Sequence, residues 1–305
     1  MSGGGRHGLV SRYTALVIIA LVVVSGVVGY YVLDQPGASA SGSSTLTGQP
    51  TQDVVLAELA NVSPTTMIQV GFGAPGVTSP KPVNSSTPLI LGGKPEVLYV
   101  GAEYCPFCGA ERWAMIVALD KFGTFTGLEY SASTPTDVFP NTPTFTFRNA
   151  TYASNYISFV SVEQTDRNHA RLQNLTADQT ALVNAYDAPG SIPFIDLANK
   201  YVQVGTQFSP AVLRAGGSAT AAPYDSAQIA SKLNNASSTF AQSIDAAANR
   251  LISAICKIDG GSPTSVCSQP FAHSLNYITG SPSSGSFVVG NQEPRIGVRT
   301  KLLIL

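Results

Sequence analysis

The longest apolar stretch of the chain lies near its start. Between Arg12 and Asp34 run 21 residues without a charge, and Ala15 to Val24 are apolar throughout. That length crosses a bilayer as one helix. Arg6 and Arg12 precede it and no Lys or Arg follows until Lys81, so the positive-inside tendency leaves residues 34–305 outside the cytoplasm. The pattern predicts a cytoplasmic N-terminus over 1–12 and a transmembrane anchor over 13–33. A cleaved signal peptide is the competing reading, because Ala38-Ser39-Ala40 offers a cleavage site. Its apolar core is usually only about 7 to 15 residues. Both readings export the folded part.

Residues 34–50 are rich in Gly, Ser, Thr, Pro and Ala without an apolar period, which predicts a flexible linker. Gln52 to Asn61 carries Val54, Val55, Leu56 and Leu59 at helical intervals and ends before Ser63-Pro64, a short helix. Residues 71–93 read as loop. The run Glu96 to Gly101 predicts a buried strand, and Cys105-Pro106-Phe107-Cys108 follows at once. From Cys108 to Leu119 apolar side chains recur three and four apart, a helix that Gly123 ends. Further strands are predicted at 128–133, 144–147 and 156–162. Thr176 with Gln179 reads as a capping box at a helix start. Ile192–Leu197 and Tyr201–Val204 form a hairpin, and 225–234 and 240–256 are helical by period. The compact domain is thus expected over 51–280, with a C-terminal tail over 281–305.

Composition narrows the function classes. Charged residues make up 11% of the chain, against roughly 25% in ordinary soluble proteins. The formal charge is −1, so no nucleic-acid partner is expected. Four cysteines in an exported chain are compatible with disulfides. Four admit three pairings that the sequence does not decide; local pairing of Cys105 with Cys108 and of Cys256 with Cys267 is the simplest. The second pair flanks a turn-rich loop and reads as a structural disulfide.

The order strand, CxxC, helix carries the chemistry. A thiolate attacks a disulfide, so a redox cysteine needs a lowered pKa and an exposed sulfur. A helix N-terminus lowers the pKa through its unpaired N–H groups and its dipole. Cys105 is expected at that terminus as the nucleophile, with Cys108 one turn in as the resolving thiol. Pro106 suits the first helical turn, and Phe107 adds apolar surface. The same spacing also makes half of a zinc site. Further ligands are scarce, with only His7, His169 and His273 in the chain, so no metal and no cofactor is called for.

These residues resemble the thioredoxin superfamily: the strand Val97–Val100, CPFC opening a helix, and Ser191-Ile192-Pro193 before a late hairpin. More narrowly, the extent from Gly93 to Val204, Phe139-Pro140-Asn141-Thr142-Pro143 and the paired C-terminal cysteines look like a thioredoxin-like family labelled domain of unknown function 929. The resemblance implies an α/β fold with a central mixed sheet flanked by helices and an insertion within 135–187, before the cis-proline strand. It also implies a cis bond before Pro193 and a peptide groove formed by Tyr104, Pro106, Phe107, Ile192 and Pro193. The chain departs from the superfamily in having Tyr104 where many members carry Trp. It also lacks the buried acid of the entering strand, showing Leu98 and Tyr99 there. Glu103 and Glu111 are the nearest carboxylates; either could serve in proton transfer, and a solvated surface role is the favoured expectation for each. Trp113 is expected in the core.

The activity expected is thiol–disulfide exchange on exported protein thiols and disulfides, with a redox partner of unknown identity and the membrane held through 13–33. The alternative is a non-catalytic binding module or metal carrier on the same scaffold, with a structural CxxC.

Overall fold

A computed structural model describes residues 46–275 of the chain. The anchor predicted over 13–33, the alternative cleavage point after Ala40, nearly all of the linker and the tail over 281–305 lie outside the described residues. Among the described residues no helix is long and apolar enough to cross a membrane.

The fold opens with two short helices, α1 (Asp53–Ala60) and α2 (Pro64–Val70). The Ser63-Pro64 pair, expected only to stop the first helix, also starts the second. The Ser63 hydroxyl accepts from Thr66 N at 3.0 Å, and Pro64 fills the first turn, where its missing N–H costs nothing. Within the expected loop the chain forms two-residue strands, β1 (Lys81–Pro82) and β2 (Ile90–Leu91). Then come β3 (Lys94–Gly101) and α3 (Pro106–Leu119).

Two small antiparallel sheets follow. β4 (Gly123–Thr126) pairs with β7 (Thr151–Ser154), and between them β5 (Glu129–Ala132) pairs with β6 (Pro143–Thr146). Four strands thus lie between α3 and β8, the first two ahead of residue 135 and the other two within 135–187. Gly123 does not end the helix, whose C-cap is Asp120. It opens β4, where a Cβ would lie 2.3 Å from Ala153 O, so the close approach of β7 requires glycine.

The remaining elements are β8 (Ser158–Glu163), α4 (Ala177–Tyr186), β9 (Phe194–Leu197), β10 (Tyr201–Val204), α5 (Ser226–Ala230), α6 (Ala246–Ile258) and α7 (Thr264–Cys267). The capping box at Thr176 and Gln179 forms as expected. The helix expected over 225–234 closes after one turn and a half, and a π turn over Ala241–Asp245 precedes α6.

The main sheet is mixed, in the order β1–β10–β9–β3–β8, with β2 paired to the start of β3. β8 runs parallel to β3, in register from Glu96↔Ser158 to Gly101↔Glu163. β9 is antiparallel on the other side of β3, and β10 is antiparallel to β9. Helices flank the sheet. On one face Leu98, Val100, Val162, Phe194 and Val202 pack against Val183 of α4. On the other, Val97, Tyr99, Ile195 and Leu197 join α3, α6 and the aromatic side chains of the small sheets. Trp113 lies in this second core, as expected: its ring meets Phe145 edge-on and its Nε1 donates to Pro143 O at 2.8 Å. β3 is buried on both faces because it is central, which accounts for its unbroken apolar run.

Candidate active site

β3 ends at Gly101, and a four-residue turn carries the chain into α3. Glycine is required at that exit because a Cβ on Gly101 would lie 2.1 Å from the Tyr99 hydroxyl. Cys105 is the N-cap of α3: its backbone is extended and its sulfur accepts from Cys108 N at 3.2 Å. Pro106 occupies the first turn. The Cys105 Sγ stands 3.9 Å from Ile192 O, and the Ile192–Pro193 bond is cis. The structure thus brings Cys105, Cys108, Pro106, Ile192 and Pro193 together around one helix start.

Both cysteines are free thiols. The hydrogen bond from the Cys108 thiol holds the Cys105 thiol below its ordinary range; burial opposes this, and the Arg112 charge adds to it. Burial pushes the Cys108 thiol well above its ordinary value. The pair is therefore polarised, with the outer sulfur the more acidic and the inner one protonated. The exposed sulfur expected at Cys105 is a point of difference, because the residue is only 5% exposed. The Ile192 carbonyl oxygen approaches it to 3.9 Å, so little of the sulfur is open to a reacting molecule.

Phe107 is 37% exposed, and its ring meets that of Phe139 edge to face at 5.9 Å. Phe139 belongs to the 133–142 loop, which is fastened over the motif. Thr134 N donates to Tyr104 O at 2.9 Å, Arg214 Nη1 to Pro140 O at 2.7 Å, and Arg167 Nε to Ser133 O at 2.9 Å. Below the loop, Thr144 Oγ1 donates to Gly109 O at 2.8 Å. Tyr104 is half-buried and its ring lies 4.2 Å from that of the exposed His169.

Neither Glu103 nor Glu111 has the solvated role expected of it. Glu111 is fully buried; its Oε2 accepts from Gln207 N at 2.8 Å and from Thr206 Oγ1 at 3.1 Å, and burial pushes its carboxyl up to about 7. Glu103 is buried beside Thr146, whose hydroxyl donates to it at 2.7 Å, and burial raises its carboxyl too. It lines a polar cavity of ≈ 270 Å³ shared with Ser131, Arg148 and Arg167.

Sequence reasoning missed Arg112 and Glu163. They form a fully buried, two-pronged ion pair: Arg112 Nε donates to Glu163 Oε1 at 2.9 Å and Nη2 to Oε2 at 2.7 Å. The available signal was the Glu111-Arg112 couple inside a helix whose other positions are nearly all apolar, since arginine is rarely buried unless paired.

Cys256 and Cys267 are bonded to each other, joining α6 to α7. A sulfur held in that disulfide is not available as a thiolate ligand for a metal. Among the described residues no group of three or more His, Cys, Asp or Glu is placed to hold a metal ion.

Fold and site together define a mixed α/β protein with a CxxC pair at a strand-to-helix junction. The chain belongs to the family described as Domain of unknown function (DUF929), whose pattern matches residues 83–257. That span holds CPFC, the 139–143 segment, Pro193 and Cys256. It stops short of Cys267 and takes in most of the 51–280 domain. No curated protein and no solved structure matches the chain.

Proposed function

We propose that this protein is a thioredoxin-like thiol–disulfide oxidoreductase, exported and anchored through residues 13–33, acting on the thiols and disulfides of exported proteins. The strand order β8–β3–β9–β10, with α3 crossing between the parallel β3 and β8, supports the thioredoxin-like reading. The observation that carries the activity is the Cys105 sulfur at the cap of α3, 3.2 Å from Cys108 N and 3.9 Å from Ile192 O. An anion there is stabilised by backbone amides and by the helix dipole. Cys105 attacks the client disulfide, Cys108 resolves the mixed disulfide, and Tyr104, Pro106, Phe107, Ile192 and Pro193 border the groove.

A second reading, a non-catalytic module or metal carrier with a structural CxxC, draws on the 5% exposure of Cys105. Alkylation of the full chain across pH separates the two. The enzyme requires Cys105 to react as a thiolate with a midpoint below about 7.5, and Cys108→Ser to trap mixed disulfides with exported proteins. Cysteines that alkylate no faster than an ordinary thiol, with no trapped client, would leave the module.

A further inference from the structure

Cys108 is fully buried, yet the resolving step needs it as a thiolate. A buried anion forms only where compensating charge is fixed beside it. Arg112 lies four residues beyond Cys108 on α3, hence on the same helix face. Its guanidinium is held by both oxygens of Glu163, and Nη2 also donates to Ala102 O at 2.9 Å. The same Ala102 carbonyl accepts from Cys105 N at 3.3 Å, so the guanidinium is fastened to the strand–helix turn that carries the motif. Arg112 Nη1 is buried and has no hydrogen-bond partner among the described residues; neither has the Tyr99 hydroxyl, over whose ring the guanidinium lies at 5.7 Å. A buried N–H without an acceptor is costly, and an anion forming nearby reduces that cost.

We propose that Arg112, clamped by Glu163, is a positioning residue for the exchange: its charge stabilises the Cys108 anion that resolves the mixed disulfide. This rests on the oxidoreductase reading above. In the step itself, the Cys108 thiolate attacks Cys105 Sγ and the Cys105–Cys108 bond forms. The bond from Cys105 to the client sulfur breaks, and its electron pair leaves on that sulfur. The client thiolate then takes from solvent a proton equivalent to the one Cys108 released. The client is reduced and the protein pair is oxidised, so no further co-reactant enters.

The other titratable groups around the pair are Tyr99 on β3, Glu163 on β8, and Glu103 and Tyr104 in the turn before α3. Burial keeps Tyr99 protonated, pushing its hydroxyl well up, and the Glu163 charge is matched by Arg112. Burial raises Glu103 and Tyr104 as well. The Arg112 charge acts in the opposite sense on both cysteines, lowering each.

The test uses the full chain with oxidised glutathione as probe, following the mixed disulfide and its resolution by mass spectrometry, and the thiolates by ultraviolet absorbance across pH. Arg112→Met is expected to slow glutathione release at neutral pH by about tenfold and to move the pH midpoint upward, while Arg112→Lys stays within about threefold. Glu163→Gln, which leaves the guanidinium uncompensated, is expected to move the midpoint downward. A folded Arg112→Met with an unchanged midpoint overturns the proposal. So does a Glu163→Gln midpoint that stays put or rises, and this holds even if Arg112→Met does not fold. Wild-type protein that forms no mixed disulfide overturns the oxidoreductase reading itself, a distinct result.

Discussion

The Phe107 and Phe139 rings meet nearly at right angles, one from between the two cysteines of CPFC and the other from a loop more than thirty residues later along the chain. Phe107 is 37% exposed and stands two residues from Cys105, so the ring pair presents an apolar wall beside the motif. A protein client fits such a wall better than a small hydrophilic thiol does, because burying that surface is favourable only against apolar side chains.

Phe139→Ala is therefore expected to lower exchange with a cysteine peptide bearing an apolar neighbour by about three- to tenfold, the worth of an aromatic pair. Exchange with glutathione is expected to fall less. Paired rate measurements on the two substrates check this, and equal losses would mean that the wall does not read the client.

Glu111 predicts how stability depends on pH. Burial raises its folded pKa to about 7 from an ordinary 4.5. The native state then binds more protons than the unfolded chain between those values, so the contribution to stability is fully present below 4.5 and is lost as pH rises from there through about 7. Asp120, pushed up to about 7 by burial, acts in the same direction. Glu111→Gln is expected to weaken this dependence and to stabilise the protein above neutrality by on the order of 1–3 kcal/mol. Denaturant unfolding at several pH values measures it; an unchanged slope for the variant would assign the dependence elsewhere.

The Cys256–Cys267 bond closes a short loop, the two residues being 11 apart in sequence. On the chain-entropy account its removal costs about 2 to 3 kcal/mol. Cys256→Ser with Cys267→Ser is expected to lower the unfolding midpoint accordingly and to leave thiolate formation at Cys105 in place. A shift in the Cys105 titration would show that the two pairs communicate.

What was legible in the sequence is what short-range rules govern. β3 and α3 announce themselves by an apolar run and a helical period, Thr176 and Gln179 by a capping box, and β9 with β10 by two strands around a three-residue turn. α2 was missed because Ser63-Pro64 marks the end of one helix and the beginning of the next with the same two residues. β4 was missed because Gly123 resembles a helix terminator, while its real constraint is Ala153, thirty residues away. The burial of Glu103 and Glu111 was invisible for the same reason. Their partners Thr146, Thr206 and Gln207 lie 43, 95 and 96 residues distant. Arg112 and Glu163, 51 apart, complete the pattern: the cysteines were readable, and the long-range polar contacts around them were not.

The loop carrying Phe139 is tied down by two arginines from different parts of the chain, Arg167 at Ser133 and Arg214 at Pro140. The wall that Phe139 shares with Phe107 is thus braced at two points by guanidinium struts. In the proposed exchange a client would meet the Phe107–Phe139 wall at a place those two arginines fix.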